Sequence, residues 1–321
     1  MRFVEEPHLI LRKTLIAKER ITSFASDIGV FMAKTLFGSS GLALEGGVLR
    51  SKVAKWSQNT GLCALTEKVI FTDPYTNAQF NHHTSPQLDA YAEGIRGDAE
   101  LKLAAAYHKA LFLTKTEALL HGDLHTGSIM VKQGSTFVID PEFAFYGPIG
   151  FDVGAVLSNL FLAYFSYYNR DADYSEWLLE QIVIVADKFL EVFVQLWNAK
   201  AADASAVSGE IYNTQIYTNE LLKSAQDKYL SAVWRDSLGF TGMKMIRRIV
   251  GIAHVADLES ITDHDVRSAC EKRALVFARS LVVASFKDSI TVDGLSTIRD
   301  VTNHARKVYA GSVSDSWPQA N

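Results

Sequence analysis

A hairpin bracketed by carboxylates, set inside an otherwise helical chain, most limits what these 321 residues can fold into. Ile129 to Val131 and Phe137 to Ile139 are apolar and flank the turn-forming Gln133-Gly134-Ser135, which predicts two antiparallel strands. His121-Gly122-Asp123-Leu124-His125-Thr126-Gly127-Ser128 precedes the first strand, and Val138-Ile139-Asp140-Pro141-Glu142 ends the second. The hairpin thus brings Asp123 and Asp140 together. Such a pair suits phosphoryl transfer: one carboxylate takes the proton of the attacking hydroxyl, and the other holds the Mg²⁺ that neutralises nucleotide phosphates. A lone Gly-Asp is common in turns. The second acidic cluster across the hairpin turns the balance toward a functional constellation.

Several neighbours admit more than one role. Asp140 and Glu142 are two apart, so on an extended strand end they point to one side, where two oxygen donors suit a hard cation. Pro141 stiffens the backbone between them. His125 reads as a buried hydrogen-bonding residue, a ligand or a base; with Asp123 supplying the base, the structural role is favoured. His82-His83 lies in a polar loop, Thr72 to Pro86, without a third ligand at metal-binding spacing, and reads as a solvated or lid loop. Arg247-Arg248 sits in an apolar helix. There it is either an ion pair with Asp or Glu, or a clamp whose guanidinium forks match phosphate oxygens. The residues alone leave those two open.

Around the hairpin, spacing predicts helices over 21–37, 48–60 and 87–112, then 152–168, 174–199, 218–236, 240–256, 264–284 and 294–309. The opening residues through Leu11 read as extended, and Gly311 to Asn321 as a loose tail. A net charge of −4 gives no reason to expect nucleic acid. The most apolar run, Val153 to Phe165, is too short to span a bilayer and contains Ser158 and Asn159, so a buried core helix is expected rather than a membrane span. Cys63 and Cys270 are far apart, as in a reduced cytoplasmic chain. The expected class is α+β, predominantly helical, in one domain.

The strings around Asp123, Asp140-Pro141-Glu142, Gly150-Phe151-Asp152-Val153-Gly154 and Met245 to Gly251 resemble the S-methyl-5-thioribose kinase family, a branch of the aminoglycoside and choline kinase-like superfamily. Ser128 stands where the wider superfamily has Asn, and Glu142 in Asp-Pro-Glu then takes over its metal-ligand role. The resemblance implies the C-terminal lobe of a protein-kinase-like fold, with residues 1–7 as the inter-lobe hinge, 8–321 as the lobe and no N-terminal lobe. It implies Asp123 as the base beside the sugar's anomeric hydroxyl, and Arg247 and Arg248 near the transferring phosphate. Asp140, Pro141 and Glu142 would meet Mg²⁺ and the ATP phosphates, and Glu5, Glu6 and Pro7 the adenine edge. Methylthioribose and ATP are then the partners, in a cytoplasmic homodimer of methionine salvage. The alternatives are a kinase for another small hydroxylated substrate (an aminoglycoside, choline or homoserine) or an inactive fragment. Where the family carries Asn-Arg-Trp-Thr-Ser-Pro, this chain has Asn81-His82-His83-Thr84-Ser85-Pro86.

Overall fold

The computed structural model describes residues 7–203 and 217–318, which leaves the expected hinge contacts Glu5 and Glu6 outside the described residues. Strand β1 (Leu9–Ile10) leads directly into helix α1 (Leu11–Ile16), where an extended segment through Leu11 was expected. Leu11 and Leu15 lie four apart and are both buried, so the apolar face rather than the upstream Pro7 decides the local conformation. Helices α2 (Ser23–Ser39), α3 (Gly46–Trp56) and α4 (Thr60–Phe71) follow.

The single helix expected over 87–112 is two, α5 (Asp89–Gly97) and α6 (Ala99–Thr114). Asp98 between them is extended, and its carboxylate accepts from the Leu101 N–H at 3.0 Å, capping α6. The break therefore falls at the capping side chain beside Gly97.

Strand β2 (Ala118–Leu120) leads to the His-Gly-Asp segment, and a 3₁₀ turn (Thr126–Ser128) leads to the hairpin strands β3 (Ile129–Lys132) and β4 (Ser135–Val138). The hairpin is antiparallel with Ile129 opposite Val138 and Lys132 opposite Ser135. β1 completes a three-stranded sheet in the order β1-β3-β4. Strand β5 (Phe145–Gly147) pairs with β2, Leu120 opposite Phe145, so the chain leaving the hairpin returns beside the start of the His-Gly-Asp segment.

Helix α7 (Ile149–Ser166) is the axis of the molecule, and all 18 of its residues are buried. By length and composition it would cross a membrane, longer than the 13-residue apolar run suggests, yet it is wrapped by the rest of the chain. Around it lie α8 (Ala172–Ala201), α9 (Asn219–Val250), α10 (Ala256–Glu259), α11 (His264–Lys287) and α12 (Ile298–Ala310). Where two helices, 218–236 and 240–256, were expected, α9 runs unbroken through Ser237-Leu238-Gly239. Gly239 does not stop the helix. A Cβ there would lie 1.8 Å from His108 Nε2, so the glycine admits α6 against α9, and packing outweighs its helix cost of about 1 kcal/mol.

The expected loose tail is pinned as far as residue 318. Trp317 is buried against Tyr91 and donates its indole N–H to Asp98 Oδ2 at 2.9 Å, while Tyr91 donates to the Ser314 carbonyl at 2.7 Å.

Candidate active site

The His-Gly-Asp segment is held from behind by α7. Asp152 in the first turn of that helix is fully buried, and its carboxylate accepts the backbone N–H groups of His121 at 2.7 Å and Gly122 at 3.1 Å. Burial pushes its pKa up, against His121 and those two N–H donors. Its role could not be read from its place at a helix start, because its partners lie 30 residues earlier. Gly122 sits at φ +86°, and a Cβ there would meet the Phe143 carbonyl oxygen at 2.2 Å. The segment carrying Asp123 is thus packed directly on the turn that follows Asp140.

Histidines complete the frame. The Asp123 N–H donates to His121 Nδ1 at 3.3 Å, which assigns the ring proton to Nε2, and Nε2 donates to the Ile139 carbonyl at 2.8 Å. His121 therefore ties Asp123 to the residue before Asp140. His125 Nδ1 accepts from the Gly127 N–H at 3.1 Å, so its Nε2–H faces Asp123 Oδ2 at 3.3 Å. The structural role expected for His125 thus includes direct contact with Asp123. Ser128 Oγ donates to the Asp123 carbonyl at 3.1 Å.

Asp123 faces a cluster of cations from α9. Burial raises the His125-facing carboxyl's pKa, but His125, Lys244, Arg248 and Arg247 outweigh it and hold Asp123 below the usual carboxylate range. Burial pushes His125 down to about 4, so at neutral pH it acts as an N–H donor and the lasting positive charges are those of the α9 arginines. Lys244 was missed in the sequence. It is buried, its Nζ lies 3.7 Å from the centre of the Phe151 ring, and burial pushes its pKa down to about 7 against the pull of Asp123. Its spacing of three and four residues from Arg247 and Arg248 puts all three on one face.

The ion-pair alternative for the two arginines is not what α9 provides. Among the described residues neither pairs with a carboxylate, and Arg247 Nε is buried without a hydrogen-bond partner. Arg248 donates only to the Ala253 carbonyl, at 3.4 Å, and burial and Arg247 push its pKa down to about 9. A donor array left unpaired at the cost of desolvation is what an anion-binding wall requires.

Asp140, Pro141 and Glu142 are exposed. They do not continue an extended strand as expected: β4 ends at Val138, Asp140 adopts left-handed φ +65°, and a turn closes with the Ala144 N–H on the Pro141 carbonyl at 3.1 Å. Such a backbone stores about 1 kcal/mol, and functional loops are where that strain is found. Asn59 braces the turn, donating to the Glu142 and Ala144 carbonyls at 2.8 and 3.1 Å. Both carboxylates lack a hydrogen-bond or ion-pair partner among the described residues. They fit Mg²⁺, which takes one or two carboxylates and completes its shell with phosphate and water. No group of three metal-ligating side chains occurs among the described residues, His82-His83 included. His82 stacks on His254 at 3.7 Å, and His83 Nε2 meets Asp89 Oδ1 at 2.9 Å. Pro7, the first described residue, is exposed at the entrance to β1.

The chain is similar to known phosphotransferases. Residues 47–178 match the phosphotransferase enzyme family, APH. The rice (Oryza sativa subsp. japonica) protein "Methylthioribose kinase 1" is 50% identical over 289 residues, 88% of this chain and 66% of the relative. "Methylthioribose kinase" of Escherichia coli O45:K1 is 44% identical, over 86% of this chain and 67% of the relative. That of Yersinia enterocolitica is 37% identical, over 91% and 70%. The chain spans about two thirds of the length of these curated relatives. Among solved structures, a glucosamine kinase superposes with a TM-score of 0.37 at 14% identity, over 76% of this chain and 59% of that one.

Proposed function

This chain belongs to the methylthioribose kinase family, and from that membership we propose that the complete protein transfers the terminal phosphoryl group of ATP to the C1 hydroxyl of S-methyl-5-thioribose. The product is the 1-phosphate, and the role is in methionine salvage. The observation that carries the proposal is the wall of Lys244, Arg247 and Arg248, which faces Asp123 and makes no salt bridge among the described residues.

Asp123 takes the proton of the attacking hydroxyl, and its lowered pKa keeps it unprotonated and ready at neutral pH. His121, His125 and Ser128 hold it in register. Arg247 and Arg248 stabilise charge on the phosphoryl group as it moves, in a site where burial strengthens their field. Asp140 and Glu142 would hold Mg²⁺ against the nucleotide phosphates, with Asn59 fixing the turn that carries them. That ion, when bound, neutralises developing phosphate charge. Glu5, Glu6 and Pro7 would meet the adenine edge. The lobe that covers the phosphates lies, in this proposal, in the third of the relatives' length not spanned here. A cytoplasmic location and a homodimer are part of the same proposal, supported by the family resemblance.

The test is a substrate panel with the complete protein and Mg-ATP. Methylthioribose is expected to be phosphorylated in preference to ribose, choline and kanamycin; turnover of choline as fast as methylthioribose would overturn the proposal.

A further inference from the structure

Arg12 lies outside the machinery described above, yet its guanidinium bonds to the turn that follows Asp123. It is the second residue of α1. Its Nε donates to Thr126 Oγ1 at 3.2 Å and its Nη2 to Asn159 Oδ1 at 2.9 Å, and its Nε is 3.4 Å from Asp257 Oδ2. A Cβ on Gly127 would lie 3.3 Å from its Nη1. The guanidinium is thus laid along the 3₁₀ turn whose ends touch Asp123, through His125 and Ser128.

Asp257 on α10 is the counterpart. Its side chain is 2% exposed, and neither carboxylate oxygen has a hydrogen-bond partner among the described residues. Burial raises its pKa to about 6, and Arg12 and Arg248 are the cations that oppose this. A buried pair of this quality contributes little to stability, since well-packed apolar residues of similar volume usually do as well or better. Its placement is informative instead. Arg12 and Arg248 both favour the charged form of Asp257, Arg12 opposes the charge on Arg248, and Arg248 also favours the charged form of Asp123.

We infer that Arg12 and Asp257 form a positioning pair for the reaction proposed above, fixing the Thr126–Ser128 turn under Asp123 and holding Arg248 at the phosphoryl site. The inference rests on the kinase reading for its chemistry, but not for its geometry. Neither residue touches the reacting atoms. Arg12 acts through Thr126 and Gly127, and Asp257 acts through Arg12 and Arg248. Because α1 continues from β1, which pairs with β3, the pair also ties the chain's entry segment to the loop that carries the base.

The experiment uses the complete protein and three variants: Arg12→Met, Asp257→Leu, and the double variant. Each single change leaves one charge without its ion-pair partner and lowers the melting temperature; the double change removes both charges and recovers much of it. Positioning predicts that kcat in the stable double variant stays down by about 10²-fold, the scale of a small misplacement of reacting groups, with the KM for both substrates within about twofold. A double variant with normal kcat overturns the inference. A second measurement does not need turnover: titration of the His125 ring by NMR. Arg12 is one of the charges that hold His125 down, so its midpoint rises in Arg12→Met, and an unchanged midpoint also overturns the inference. If the wild-type protein fails to phosphorylate methylthioribose while the His125 midpoint moves, the kinase proposal fails and the positioning of this loop stands.

Discussion

In the proposed reaction Asp123 must accept a proton, yet remain unprotonated beside a phosphate until it does. Its surroundings secure the second demand: burial alone would raise its pKa, and His125 with the α9 cations outweighs that. Asp123→Asn keeps the shape and removes the proton acceptor, so kcat is expected to fall by about 10²–10⁴-fold with nucleotide binding retained. Steady-state kinetics and calorimetric titration of ADP check this, and retained turnover would assign the base elsewhere. Arg248→Ala is expected to lower kcat more than it raises the KM for ATP, because the guanidinium acts on charge that develops during transfer. A variant that loses only stability, with normal kinetics in its folded fraction, would return Arg248 to a purely structural role.

Between elements, the contact of greatest consequence joins two loops. Gly122 and Phe143 fit only because residue 122 has no side chain. Gly122→Ala adds a Cβ where the backbone already adopts φ +86° and forces the two acidic segments apart, at a cost of about 1–3 kcal/mol together with loss of kcat. Gly134→Ala in the hairpin turn is the control. It shares the positive φ, but nothing lies within 4 Å, so it should lose some stability and keep its kinetics. The hairpin and the acidic pair that brackets it were legible in sequence, because turn residues and alternating runs are local signals. The role of Asp152, the Gly122–Phe143 contact and Lys244 were not, because each depends on a partner from a distant element. The false break at Gly239 has the same origin: local propensity reads a glycine as a stop, and only the neighbouring helix shows why it is there. The same limit explains the left-handed Asp140, read as strand from its apolar neighbours.

At the scale of the whole molecule, two buried groups give stability opposite pH slopes. Burial raises Glu271 to about 7. Its folded pKa lies above the unfolded one, so its contribution is complete below about pH 4.5 and is lost as pH rises to 7. Burial lowers His108 to about 4, so its contribution is complete above about pH 6.5 and is lost on acidification toward 4. Each is worth about 3 kcal/mol across its window, and the two nearly cancel. Glu271→Gln removes one of them. Denaturant melts of that variant are expected to show stability rising with pH between about 4 and 6.5, more steeply than in the wild type; parallel curves would show that Glu271 does not titrate there.

Helix α7 also carries a cost in time. It is mostly apolar, and much of its cover comes from helices later in the chain, the last of them ending at Ala310. A ribosome adding about 5–20 residues per second needs roughly 7–29 s between completing α7 and releasing its final cover. During that interval the nascent chain displays an 18-residue segment indistinguishable by composition from a membrane anchor. The central position that organises the finished site thus leaves an apolar helix waiting for part of its cover during synthesis.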